Sequence, residues 1–119
     1  MKDFMFIFRG GGESQNFSPE EMQKHMQKWF SWIDKLKAKN IYIDGQPLIP
    51  SGKTVKGTKP VVTDGPFAES KEIVGGFFLI KANSIEEAAE LAKDCPDLPF
   101  KGSVEVREVM KMEVMEHAG

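Results

Sequence analysis

Ile73-Val74-Gly75-Gly76-Phe77-Phe78-Leu79-Ile80-Lys81 is the stretch on which the fold turns. It is apolar, β-branched and aromatic, and it follows Asp64-Gly65-Pro66-Phe67-Ala68-Glu69-Ser70-Lys71-Glu72, a run opened by turn-forming residues. As a strand it places Phe77 and Leu79 on one face and Phe78 and Ile80 on the other. Phe4-Met5-Phe6-Ile7-Phe8 behaves alike, with three phenylalanines opposing Met5 and Ile7. A sheet with one wet face alternates apolar and polar residues. These two strands do not, so both faces of the sheet are apolar at its centre.

Outward from there, the other elements fall into place. Ser18 caps a helix, with Pro19 at its first position and Glu21 completing a capping box; Phe17 and Met22 sit where a hydrophobic staple forms. Met22, Met26, Trp29, Ile33 and Leu36 step along one helical face, widened by Phe30 and Trp32, and Asn40 stops the helix. Ile41 to Asp44 is short and extended. Gln46-Pro47-Leu48-Ile49-Pro50 is barred from helix by two close prolines. Thr54 to Thr63 reads as a hairpin around Gly57-Thr58. Ser84-Ile85-Glu86-Glu87 opens a second helix with Ile85, Ala88, Ala89, Ala92 and Cys95 as its inner stripe, ended by Pro96. Ser103 to Met110 is the last strand, with Val104 and Val106 opposing Glu105 and Arg107 and a bulge near Glu108. Strand, helix, hairpin, strand, helix, strand is a ferredoxin-like α+β sandwich with extra strand material in the middle, in one domain spanning residues 1–119.

Two helices cover one face of such a sheet. Leaving the second face wet forgoes roughly 1.5–3 kcal/mol per large apolar side chain. A second copy joined about a two-fold axis covers it, so a homodimer is expected; a lid folded from residues 46–60 is the alternative.

Composition sets the outer limits. With 119 residues, 40 % hydrophobic and 29 % charged, the chain is of ordinary globular make-up. Sixteen basic and 18 acidic side chains leave a net charge of -2, which argues against nucleic acid and anionic membrane as partners. A single cysteine, Cys95, forms no intrachain disulfide, and the short apolar run at the N-terminus is no signal peptide; a cytoplasmic location is expected. Two histidines and one cysteine, far apart, offer no metal spacing. Nucleotide fingerprints and nucleophile elbows are missing too, so no cofactor is expected.

Asp64-Gly65-Pro66-Phe67-Ala68-Glu69, Lys71-Glu72 and Gly75-Gly76-Phe77-Phe78-Leu79-Ile80 together resemble the DGPF branch of the YCII-related proteins. Gly45-Gln46-Pro47-Leu48 and Gly102-Ser103-Val104-Glu105-Val106-Arg107 extend the resemblance over nearly the whole chain. It implies a dimeric α/β barrel, similar to muconolactone isomerase, with a histidine and an aspartate in the cleft. It also implies a link to extracytoplasmic-function sigma factors.

Two readings fit Asp64: a general acid or base at a strand end, or a carboxylate bonding the amides of its own turn. Two also fit His25, a proton shuttle beside aromatic rings or a half-buried helical histidine; the resemblance favours His25 as the cleft histidine. Trp29 and Phe67 are candidate ligand contacts. Arg9, before Gly10-Gly11-Gly12, and Arg107 are candidates to hold an anionic group, so a small anionic ligand is expected. The expectation is a small-molecule-binding or enzyme-like barrel performing isomerisation or hydrolysis with His25 and Asp64; the alternative is a non-catalytic sensor or regulator partnering a sigma factor.

Overall fold

The computed structural model describes residues 1–10, 16–65 and 73–112. In chain order these form β1 (Lys2–Arg9), α1 (Pro19–Ala38), β2 (Tyr42–Pro47), β3 (Lys53–Lys56), β4 (Val61–Asp64), β5 (Val74–Ala82), α2 (Ile85–Ala92), a 3-10 turn (Leu98–Phe100) and β6 (Ser103–Glu108).

The main sheet is antiparallel in the order β2-β5-β1-β6, a ferredoxin-like arrangement in which the two most apolar strands lie at the centre. β3 and β4 pair separately as the hairpin expected from Thr54 to Thr63. Its register sets Val55 opposite Val62 and Lys53 opposite Asp64. Proline in β2 is tolerated because this strand is an edge, where a missing amide donor breaks no ladder.

α1 starts as its sequence dictates. The Ser18 hydroxyl accepts from the Glu21 amide at 3.1 Å, and the Glu21 carboxylate accepts from the Ser18 amide at 3.2 Å. The helix ends in a Schellman motif: Ile41 N donates to Leu36 O and Asn40 N to Lys37 O. Asn40 takes the left-handed conformation, with φ 59°, that this stop requires.

One face of the sheet meets the helices. Phe4, Phe6, Phe8, Phe78, Ile80 and Ala82 are buried there against Trp32, Leu36, Ala88, Ala92 and Cys95. Rings interlock across the layers: Phe6 stacks on Trp32 at 6.1 Å, and Phe8 meets Phe78 edge-on at 4.8 Å. Both helices bury narrower stripes than their sequences imply. Met26 is 43 % and Phe30 57 % exposed, and Ile85 46 %. The core of α1 runs through His25, Trp32 and Leu36. The bulge expected near Glu108 does not form; β1 and β6 stay in register to Glu108. Irregularities occur instead between Phe8 and Arg9 and between Tyr42 and Asp44.

The other face carries Met5, Ile7, Phe77 and Leu79 in register, each half-buried, with Arg9, Glu105 and Arg107 beside them. The two-sided apolar character of β1 and β5 is therefore present in the structure.

Cys95 is buried, and desolvation pushes its thiol up from 9.0 to about 11. The folded chain therefore holds this proton where the unfolded chain releases it. Stability falls as pH climbs through that interval. Cys95→Ala is expected to lack this part of the alkaline loss, which urea midpoints measured across the same interval for both proteins will show.

Candidate active site

The helix-facing side of the sheet opens into a cavity of about 360 Å³ between α1 and the β2–β5 edge. Phe8, Trp29, Phe30, Tyr42 and Phe78 supply aromatic walls, and Met22, Met26 and Ile33 close the side made by α1. Two glycines let the strands approach beneath it. A Cβ on Gly76 would lie 2.7 Å from Gln46 O, and one on Gly45 would lie 2.5 Å from the Phe78 ring.

His25 and Asp97 meet in this cavity. His25 Nε2 is 2.6 Å from Asp97 Oδ1, and the imidazole is only 6 % exposed. The α1 periodicity turns His25 inward, one turn before Trp29. Phe17 and Phe100 clamp the ring edge-on, at 5.3 and 5.4 Å between centroids. Asp97 arrives from the other side of the fold, after the Pro96 stop of α2. Its carbonyl accepts from Phe100 N at 2.9 Å and Gly102 N at 3.0 Å, which fixes the backbone beneath the carboxylate. With Nε2 engaged by Asp97, Nδ1 has no protein partner among the described residues. A carboxylate bonded to one imidazole nitrogen fixes the ring's tautomer and orientation, as the partner of a general base does.

Tyr42 adds a hydroxyl to the same wall. Burial pushes its pKa above 10.0, and the neighbouring Asp44 pushes it the same way, so the phenol stays protonated at neutral pH.

A family model of the YCII-related domain matches residues 4–113. The chain belongs to the YCII-related family. An uncharacterised protein of Rhizobium meliloti (strain 1021) is 50 % identical over 48 residues, which is 40 % of this chain and 39 % of that protein. The matched stretch thus spans well under half of that relative's length. Among solved structures, 5-chloro-2-hydroxyhydroquinone dehydrochlorinase from Burkholderia phenoliruptrix AC1100, in complex with 2,5-dihydroxybenzoquinone, aligns over 91 % of this chain and 93 % of its own. Its TM-score is 0.47 at 16 % identity.

In this YCII-related protein the residues singled out from sequence are divided among three places. His25 and Trp29 share the cavity. Asp64 does not line it: it stands exposed at the end of β4, ion-paired with Lys53 across the hairpin. The aspartate beside His25 is Asp97, 72 positions away in sequence. Arg9 and Arg107 lie on the opposite face of the sheet, both bound to Glu105, Arg9 Nη1 at 2.5 Å and Arg107 Nη1 at 3.1 Å. Chiefly through Arg107, and then Arg9, these guanidiniums hold the Glu105 carboxyl below its usual range. Phe67 lies outside the described residues.

Asp97 is hidden in the sequence because residues 97–102 look like an ordinary loop. The available signal is steric. A Cβ on Gly102 would come within 2.7 Å of the Asp97 Cβ, so the glycine just before β6 marks a backbone packed against that aspartate.

Proposed function

We propose that the cavity is a small-molecule site for acid–base catalysis, with His25 as the proton-transferring base and Asp97 as the residue that orients it. The 2.6 Å contact between a buried imidazole and a carboxylate at the wall of an apolar cavity carries this reading. Membership in the YCII-related family is compatible with an enzyme-like ligand-binding fold. Asp97 would hold the imidazole in one orientation and stabilise the imidazolium formed when His25 takes a proton. The apolar surroundings keep water from competing for that proton.

A generic probe tests this whatever the natural substrate. 5-Nitrobenzisoxazole is neutral and planar; a base that removes its C3 proton breaks the N–O bond and yields a coloured cyanophenolate. The protein is expected to accelerate this ring opening, and His25→Ala to lose roughly 10²–10⁴-fold, the usual contribution of a positioned base. Asp97→Asn is expected to lose a smaller factor, because the imidazole remains but its orienting charge is gone. Ring opening as fast with His25→Ala as with the native chain would remove His25 from the role.

We also propose that the face carrying Met5, Ile7, Phe77 and Leu79 pairs with a second copy about a two-fold axis. Four apolar side chains in register on a face without helices support this. Light scattering on a gel-filtration peak at micromolar concentration is expected to give twice the chain mass. Ile7→Lys is expected to halve it, and a native chain already running at single-chain mass would refute the pairing.

A further inference from the structure

A conflict of hydrogen bonds in the cavity points to the ligand. Trp29 Nε1 lies 3.4 Å from His25 Nε2, the same nitrogen that Asp97 Oδ1 approaches at 2.6 Å. An imidazole nitrogen has one in-plane position, holding either a proton or a lone pair. The Asp97 carboxylate only accepts, so at 2.6 Å Nε2 holds the proton and donates it to Oδ1, leaving no lone pair there for a second donor. The indole N–H of Trp29 is then left beside His25 without a full acceptor.

The indole cannot readily turn elsewhere. Phe8 meets it edge-on at 4.9 Å, Phe78 does so at 5.8 Å, and Trp32 leans on it at 5.6 Å. The stranded donor therefore stays at the cavity wall, one helical turn from the proposed base.

The charge of the cavity narrows the ligand further. Among the described residues that line it, Asp97 is the only charged one, and none is a lysine or arginine. Both arginines expected to hold an anion are bound to Glu105 on the far side of the sheet. A carboxylate or phosphate entering here would give up its hydration and meet a negative charge, which low-polarity walls make worse. A flat uncharged ring would meet aromatic edges instead, in a volume near the lower end of that usual for ligand cavities.

We propose that Trp29 Nε1–H is the donor that fixes the oxygen of a neutral, ring-sized ligand, so that the site takes cyclic or aromatic compounds bearing a carbonyl or hydroxyl in preference to anions. This rests on the cavity being the ligand site proposed above, but not on His25 acting as a base. It replaces the anionic ligand expected from Arg9 and Arg107.

Three probes of similar shape separate the terms: acetophenone, which has a carbonyl; ethylbenzene, which lacks it; and benzoate, which carries a charge. Titration into 15N-labelled protein at pH 7 reads the two indole N–H signals directly, and Trp29→Phe assigns one by its disappearance. Acetophenone is expected to shift the Trp29 signal. It should bind roughly three- to tenfold more tightly than ethylbenzene, the range for one net hydrogen bond. In Trp29→Phe that ratio is expected to fall to about one, with both probes sharing whatever affinity the smaller ring costs, and benzoate is expected to bind more weakly than acetophenone to the native chain. The proposal is overturned by an unmoved indole signal, by a ratio that survives Trp29→Phe, by benzoate binding best, or by no binding of any probe at millimolar concentration. Loss of the His25-dependent ring opening with the acetophenone preference intact would sink the acid–base reading alone.

Discussion

Phe6→Ala is expected to lower the unfolding free energy by about 3–5 kcal/mol, the range for emptying a fully packed phenylalanine site. Phe6 is wholly buried on β1, a central strand of the sheet, where it stacks on Trp32 of α1 and meets Phe8 edge-on at 6.5 Å. The truncation removes the ring joining sheet and helix, and neighbours fixed by their own ring contacts cannot collapse into the gap. Domains of this kind have only about 5–15 kcal/mol in hand, so the loss takes a large share. Urea unfolding followed by tryptophan fluorescence measures it. A loss under about 1 kcal/mol, the scale of a site that relaxes fully, would mean that the aromatic layer is not the close-packed core described here.

Gly76→Val is expected to be comparably damaging for a different reason. A Cβ at Gly76 meets backbone, with Gln46 O at 2.7 Å and the Pro47 Cα at 3.1 Å. No rotamer relieves a clash between main chains, so β2 must part from β5 where the two close beneath the cavity. Overpacking typically costs about 1–3 kcal/mol and occasionally more. The upper end is expected here, because the displaced edge also loses ladder hydrogen bonds. The Trp29 indole signal should shift along with the stability, since the cavity is lined by both strands. Native stability together with an unchanged indole signal would show that β2 does not close on Gly76 as described.

The helices show what local chemistry can and cannot specify. Ser18, Pro19 and Glu21 fix the start of α1, and Asn40 its end, through contacts a few residues apart. The same periodicity misplaces the buried stripe. Met26 and Phe30 are as apolar as Trp32, yet they face the cavity mouth and solvent. Which side of an apolar helix is covered depends on the strand beneath it. The site divides in the same manner. His25 and Trp29, on adjacent turns of α1, were legible as a pair. Asp97 was not, because nothing within its own segment records that the loop after α2 ends beside α1.

By itself, then, the order of the residues determined the alternation of strands and helices, the two apolar faces of β1 and β5, and the helix caps, all of which depend on neighbours close in sequence. Only the tertiary structure decided that His25 takes Asp97 rather than Asp64, that Arg9 and Arg107 turn away from the cavity, and that Trp29 Nε1 shares His25 Nε2 with Asp97. Those outcomes depend on which face of the sheet each strand presents and on approaches of less than 4 Å between segments up to 96 residues apart. Hydrogen bonds and burial act at that range in space, and separation along the chain does not encode it.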